Sequence, residues 1–252
     1  MKIAPIKLNN ILCCIPARYN SSRLPGKPLL KINNKTIINL VYEKALQIKA
    51  SDIIILTDDQ RILDEVQCFG GKCAIITDKC LNGTDRIIKY LKKINHNKYD
   101  IIVNIQGDEP FIKSQAINAV IDDHIIHKPA CTTLCFKTTN KEEILSKSNG
   151  KVVTDNFNNI IYCSRNIIPS GKKDTIIENH LYNINVGIFV YDKNYLLNHF
   201  CQENTQNQLL EDIEWLKIIE QGFKIRTIFS KKMERGVDTI EDLNYLKTKY
   251  SN

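Results

Sequence analysis

The 252-residue sequence contains no apolar run near the roughly 20 residues that a membrane helix needs, which excludes a membrane-spanning helix. Its opening residues are interrupted by Lys7, Asn9 and Asn10 and lack the apolar stretch of a signal peptide, so a cytoplasmic setting is expected. No C-x-x-C pair occurs among the nine cysteines, which argues against a zinc site or a disulfide framework. Cys13 and Cys14 sit inside an apolar run and Cys131 and Cys135 flank another, where a free thiol serves as a small core residue. Neither G-x-x-x-x-G-K-[ST] nor G-x-G-x-x-G is present, so a Walker A loop and a dinucleotide fingerprint are both excluded. The net charge is +7, yet there is no dense basic block; Lys and Arg are interspersed with Asp and Glu. Nucleic acid is therefore not the expected partner, and a small polyanionic substrate accounts equally well for the basic balance. Internal repeats, low-complexity tracts and flexible linkers are missing too, which points to one folded unit over residues 1–252. His124 and His127 follow Asp122 and Asp123 at helical spacing without a third convergent ligand, so a solvated helix end is expected there and not a metal site.

What is present is a strand–helix alternation. Hydrophobic residues make up 43% of the chain, enough for one large core. Short apolar runs at Ile11–Ile15, Ile53–Leu56, Cys73–Ile76 and Ile101–Ile105 read as buried strands. Between them, apolar residues recur at helical spacing from Ile37 to Ile48, Ile62 to Phe69 and Ile87 to Ile94. This order predicts an α/β fold with a mostly parallel sheet. After about Lys128 the pattern changes to short β-like segments near residues 132–136, 151–154, 160–163 and 186–191, which suggests a smaller antiparallel lobe over about 129–195. The chain reads as helical again from Glu211, then as a strand at Ile225–Phe229, and Thr239 with Asp242 resembles a capping box opening a last helix.

Ligands of open α/β sheets bind beyond the carboxyl ends of the strands. The first such loop, Pro16 to Leu29, carries Arg18, Arg23 and Lys27 with Ser21 and Ser22, and could neutralise a triphosphate; it also reads as a basic surface loop. Gln106-Gly107-Asp108-Glu109-Pro110 follows the fourth strand. Asp108 there is either a Mg²⁺ ligand or part of a Gly/Pro turn. Asp238, before the last helix, is either a second metal carboxylate or a helix-terminal acid.

Taken in order, Ile15 to Leu29, Gly83-Thr84-Asp85-Arg86, Asn104 to Pro110, Ser164-Arg165 and Gly236 to Asp242 resemble the 3-deoxy-manno-octulosonate (Kdo) cytidylyltransferases over nearly the whole chain. The resemblance implies a Rossmann-like nucleotide-sugar transferase sandwich with a smaller antiparallel dimerisation lobe, and hence a homodimer. It implies transfer of CMP from CTP to the anomeric hydroxyl of Kdo or a related ulosonic acid, with release of pyrophosphate, for lipopolysaccharide or surface-glycan synthesis. Carried over by residue, Ala17, Arg18 and Lys27 would hold the CTP phosphates and ribose, joined by Pro16, Ser22, Arg23, Gly83 and Arg86. Thr84 and Gln106 would lie near the cytosine, Asp108 and Asp238 would bind Mg²⁺, and Arg165 would pair with the sugar carboxylate. Arg18, Lys27, Asp108 and Asp238 form the implied catalytic group.

The sugar side departs from the family pattern. Asn185 stands where relatives commonly carry His, Phe189 where a Tyr is usual, and Trp215, after Glu214, where a Gln is expected. Asn82 also replaces a usual Ser. Loss of hydrogen-bonding groups at Asn185, Phe189 and Trp215 either shifts the acceptor toward another ulosonic acid or reflects drift with repacking. The alternatives are a cytidylyltransferase for another acidic sugar such as a sialic-type acid, and a nucleotide-binding homologue without catalysis.

Overall fold

The computed structural model describes residues 10–21, 23–231 and 236–250. Strand β1 (Ile11–Ala17) shows why the first apolar run is continuous. Ile11, Cys13, Ile15 and Ala17 face one core, and Leu12 and Cys14 face the other. A strand covered on both faces has no polar side to display.

A short hairpin, β2 (Lys31–Ile32) and β3 (Lys35–Thr36), leads into α1 (Ile37–Ala45), whose N-cap Thr36 accepts from the Asn39 amide. Then come β4 (Asp52–Thr57), α2 (Gln60–Cys68), β5 (Cys73–Ile75), α3 (Gly83–Lys93), β6 (Ile101–Ile105) and α4 (Ser114–His127). The second part runs β7 (Cys131–Thr138), α5 (Lys141–Leu145), β8 (Lys151–Thr154), β9 (Ile160–Ser164) and β10 (Tyr182–Asp192). It closes with α6 (Lys193–Tyr195), a π-turn over Leu196–Phe200, α7 (Gln206–Glu211), α8 (Leu216–Glu220), β11 (Ile225–Ser230) and α9 (Ile240–Tyr250).

The main sheet has the order β11-β7-β10-β6-β1-β4-β5. Pairings of β1 with β4 and β6, of β4 with β5 and of β11 with β7 are parallel, while β10 runs antiparallel to both its neighbours. Helices α1, α2, α4 and α9 cover one face, and α3, α6 and α8 the other. Chain order reverses direction across the sheet at β1, with β4 on one side and β6 on the other. The crevice beyond the carboxyl ends of β1 and β6 is therefore the topological switch point.

Strand β10 belongs to two arrangements. Its first half, Tyr182–Val186, pairs with β7, and Asn183 and Ile184 pair with β8, which in turn pairs antiparallel with β9. Its second half, Ile188–Asp192, pairs with β6 in the main sheet. The register against β7 shifts between Val186 and Phe189. The small antiparallel arrangement of the 129–195 stretch thus hangs on the main sheet through one bent strand, with Gly187 at the bend.

Two sequence expectations need correction. The chain is not one helix from Glu211 to Gln221. Asp212 adopts a left-handed conformation (φ 52°), its N–H closes α7 on the Gln208 carbonyl, and a turn precedes α8. That turn directs Glu214 and Trp215 inward. His124 is not at a solvated helix end either. It is buried, and its Nδ1 pairs with Thr132 Oγ1 at 3.0 Å. Burial pushes its pKa down to about 4. The neighbour that does reach solvent is His127, which pairs with Asp123. Cys13, Cys14, Cys131, Cys135 and Cys163 are buried free thiols, as core residues should be.

Candidate active site

A cleft of about 1020 Å³ opens at the switch point. It is walled by the loop after β1, the loop after β6, the start of α3, the α5–β8 connection, the bend of β10 and the segment before α9. Pro16, Ala17, Arg18, Arg23, Lys27, Gly83, Arg86, Gln106, Asp108, Arg165, Asn185, Phe189, Glu214, Trp215 and Asp238 all line it. The structure thus brings nearly every sequence-predicted site residue to one place. Ser22 lies outside the described residues, and Thr84 stands behind the wall.

The first loop is held by its own backbone. The Tyr19 carbonyl accepts from Ser21 and Gly26 amides at 3.0 and 2.9 Å, and Arg61 stacks 3.3 Å above the Tyr19 ring. Gly26 has φ +68°, and a Cβ there would meet the Tyr19 ring at 3.2–3.3 Å. Only glycine makes this turn without strain. The turn delivers Lys27, whose Nζ lies 2.6 Å from Asp108 Oδ2 and 3.4 Å from Asp238 Oδ1. Arg23 adds a contact to the same Asp238 oxygen at 3.2 Å. Burial works against the Lys27 ammonium, but Asp108 and Asp238 hold its pKa above the ordinary lysine value. Arg18 is exposed on the rim.

The two carboxylates come from distant segments joined locally. The Val237 amide donates to the Asp108 carbonyl at 2.8 Å, which ties the last loop to the loop after β6. The capping box forms as expected: the Asp242 amide donates to Thr239 Oγ1 at 3.2 Å, and the Thr239 amide donates to Asp242 Oδ2 at 2.9 Å. Glu109, beside Asp108, is buried, and burial with Asp108 as neighbour pushes its pKa up to about 8.

Gln106 projects from the end of β6, and its backbone amide donates to the Gly187 carbonyl at 3.0 Å. Its side chain occupies the space a Cβ on Gly187 would need, with Oε1 2.7 Å from that point. Arg86 is 5% exposed; Nη2 donates to Asp58 at 2.6 Å, while Nη1 is buried without a partner. Thr84 is fully buried, and its hydroxyl donates to Glu214 Oε1 at 2.7 Å. The Asn104 amide donates to the Thr84 hydroxyl at 3.4 Å. Burial raises the Glu214 pKa against these hydrogen bonds. Asn104 and Asp58 were not singled out individually from sequence; only their positions at the ends of β6 and β4 hinted at them.

On the opposite wall, Arg165 is engaged with main chain. Its Nη1 donates to the Lys147 and Ser148 carbonyls at 3.1 and 3.0 Å, and Nη2 to the Asp212 carbonyl at 2.9 Å, leaving Nε buried without a partner. Asn185 Nδ2 donates to Thr133 Oγ1 at 2.9 Å and to the Leu134 carbonyl at 3.3 Å. Phe189 and Trp215 are 1% and 5% exposed with ring centroids 6.0 Å apart. Their packing against each other accounts for a Phe and a Trp at these two positions together.

The Asp108 and Asp238 carboxylates converge on Lys27 Nζ and line the cleft, and as paired hard oxygen donors they have the chemistry that suits a divalent cation. Among the described residues no group of three or more His, Cys, Asp or Glu forms a metal cage. A bound Mg²⁺ would complete its shell with phosphate and water.

Comparison with known proteins agrees with this geometry. The cytidylyltransferase family profile matches residues 12–234. The chain is 39% identical to the 3-deoxy-manno-octulosonate cytidylyltransferase of Fusobacterium nucleatum subsp. nucleatum, over 92% of this chain and 95% of that protein. It is 37% identical to the enzyme of the same name from Protochlamydia amoebophila, over 93% and 92%. A solved structure of CMP:2-keto-3-deoxy-manno-octonic acid synthetase complexed with CTP superimposes with a TM-score of 0.87 at 33% identity, covering 96% of this chain and 98% of that one. With its cation-bearing loop and paired carboxylates at the switch point, this chain belongs to the cytidylyltransferases and, within them, to the 3-deoxy-manno-octulosonate cytidylyltransferase family.

Proposed function

We propose that the chain transfers CMP from CTP to the anomeric hydroxyl of Kdo or a related ulosonic acid, releasing pyrophosphate. The observation that carries this reading is Lys27 placed between Asp108 and Asp238 at the carboxyl ends of β1 and β6. Cations beside paired carboxylates fit a triphosphate that arrives with a divalent ion.

In this reading the anomeric oxygen attacks the α-phosphorus, its proton leaves to solvent, and the bond from the α-phosphorus to the bridging oxygen breaks. Such transfers depend on positioning and charge neutralisation. Arg18, Arg23 and Lys27 neutralise the phosphates and the leaving pyrophosphate. Gln106, seated on Gly187, reads the base with Thr84 behind it, while Pro16, Ala17, Gly83 and Arg86 line the way to the phosphates and ribose. Asp108 and Asp238 would hold Mg²⁺, which when bound supplies further neutralisation of phosphate oxygens. The acceptor takes the end lined by Arg165, Asn185, Phe189, Glu214 and Trp215.

The reading includes a homodimer formed through the 129–195 lobe, supported by Leu145, Phe157, Ile161 and Leu181, which are 56%, 76%, 57% and 51% exposed there. It also includes a cytoplasmic setting, which suits nine free cysteines. A second reading keeps CTP and changes the acid, and it is favoured by Phe189, which lines the acceptor end without a hydroxyl to offer and is packed on Trp215. The test is pyrophosphate release from CTP and Mg²⁺ with a panel of ulosonic acids. Release with Kdo supports the first reading, release only with a different acid supports the second, and CTP binding without release on any acid overturns both.

A further inference from the structure

The connection between α5 and β8 has an unusual arrangement of its backbone. Four consecutive carbonyls are each taken by a cation. Lys151 Nζ donates to the Ser146 and Asn149 carbonyls at 2.7 and 2.8 Å. Arg165 Nη1 donates to the Lys147 and Ser148 carbonyls that lie between them. Lys151 opens β8 and is 0% exposed, an uncommon place for a lysine.

Each carbonyl is one end of a planar peptide dipole whose N–H end points the opposite way. Two of these N–H ends are spent inside the strap, Ser148 donating to Ser146 Oγ and Asn149 to the Ser146 carbonyl, each at 3.3 Å, so the turn is closed by its own backbone as well as by the two cations. Ser146, Ser148, Asn149 and Gly150 line the cleft. The Ser148 hydroxyl meets Arg23, which reaches on to Asp238, so the strap also touches the phosphate-side loop. The Gly150 carbonyl accepts from the Asn185 amide at 2.9 Å, which seats the strap against the bend of β10.

We propose that Lys151, acting with Arg165, is a positioning residue for the acidic acceptor: it clamps the 146–149 strap on which the Arg165 guanidinium is seated, so that this wall of the cleft and its cation are held in place for the acceptor's carboxylate. Lys151 touches no substrate in this scheme; it acts through the strap. The inference rests on the transferase reading above. Its charge state is set by burial, with the cations Lys147 and Arg165 pressing the same way and Cys163 and Glu211 opposing; together they bring the ammonium down to about 8. Those four are the titratable groups facing it from the strap, β9, the β9 exit and α7.

Kinetics of the full chain with CTP, Mg²⁺ and the best acceptor of the ulosonic acid panel test this. The acceptor carboxylate and the CTP phosphates are fully ionised by pH 8, so a change above that pH belongs to the protein. In the unaltered chain kcat/KM for the acceptor should fall about tenfold from the neutral plateau by pH 9, as one proton leaves a group of pKa near 8. KM for CTP should stay within about twofold, since the strap serves the acceptor end. Lys151→Arg should flatten the profile, because a guanidinium stays charged. Lys151→Met should raise the acceptor KM at least ~10-fold at pH 7, the loss of two charge-assisted hydrogen bonds. An acceptor profile flat from pH 7 to 9.5 overturns the inference while leaving the transferase reading intact, and so does a decline of undiminished size in Lys151→Arg. No pyrophosphate with any acid at any pH overturns both. Because Glu109 titrates in the same range, the comparison of the unaltered chain with Lys151→Arg is what assigns the decline to Lys151, and it stands even if Lys151→Met fails to fold.

Discussion

Gly187→Ala is the sharpest probe of how the fold builds the nucleotide end of the cleft. A Cβ added to Gly187 would lie 2.7 Å from Gln106 Oε1, 2.9 Å from its Cδ and 3.1 Å from its Cβ. The last of these is not the far end of a flexible side chain, so swinging the amide aside does not relieve the contact. Either Gln106 leaves its place or the bend of β10 shifts by several tenths of an ångström. Overpacking of this kind costs about 1–3 kcal/mol. The functional effect should exceed the stability effect, because Gln106 lines the cleft and displacements of about 1 Å can cost around 100-fold in rate. Urea unfolding should show a midpoint lowered with unchanged slope, and steady-state kinetics should show kcat/KM for CTP down roughly 10–100-fold. The double variant Gly187→Ala/Gln106→Ala separates the two effects: it should regain part of the lost stability, the 3.1 Å contact to the residue 106 Cβ remaining, and none of the lost activity. A Gly187→Ala protein with unaltered kinetics would refute the argument that this contact positions Gln106.

Asp108→Asn should abolish detectable pyrophosphate release while the thermal midpoint changes little, since its carboxylate is partly exposed and its removal frees Lys27; retained turnover would remove Asp108 from the metal site. Chelation of divalent ions should stop release from CTP and re-addition of Mg²⁺ should restore it, as followed in the same assay. His124, buried neutral with a pKa near 4 against an unfolded value near 6.5, contributes stability that is present above pH 6.5 and is lost as the unfolded chain takes up its proton toward pH 4. The loss amounts to about 3 kcal/mol and should disappear from the pH dependence of urea unfolding in His124→Gln. Trp215→Gln alone should destabilise by about 2–4 kcal/mol, read by urea unfolding, because it removes a ring 5% exposed that packs on Phe189.

Much of the architecture was legible because buried parallel strands leave a strong imprint. Ile101–Ile105 matches β6 at both ends, and Ile11–Ile15 finds all but the last two residues of β1. β10 was less visible: the expected β-like segment near 186–191 covers its second half, and the first half, where Asn183 and Asn185 alternate with apolar residues, emerges with its partners β7 and β8. The helix expected from Glu211 failed at Asp212, whose left-handed backbone is a tertiary choice that composition does not announce. In the cleft, Arg18, Lys27, Asp108 and Asp238 were legible because they stand at strand ends and before a helix, where ligands meet α/β sheets. The wall around Arg165 was not. Lys151 looks like any strand lysine in K-V-V-T, and only the fold reveals that it is buried against the Ser146 and Asn149 carbonyls. The commitment of Arg165 to carbonyls of two other segments is equally invisible in one dimension.

The most direct measurement of the central claim is a single incubation of the full chain with CTP, Mg²⁺ and Kdo, following pyrophosphate and the CMP-sugar together. The account predicts that the two products appear in equal amounts, that UTP does not replace CTP, and that Asp108→Ala yields neither. CTP that binds but releases no pyrophosphate with Kdo or any related ulosonic acid would contradict it.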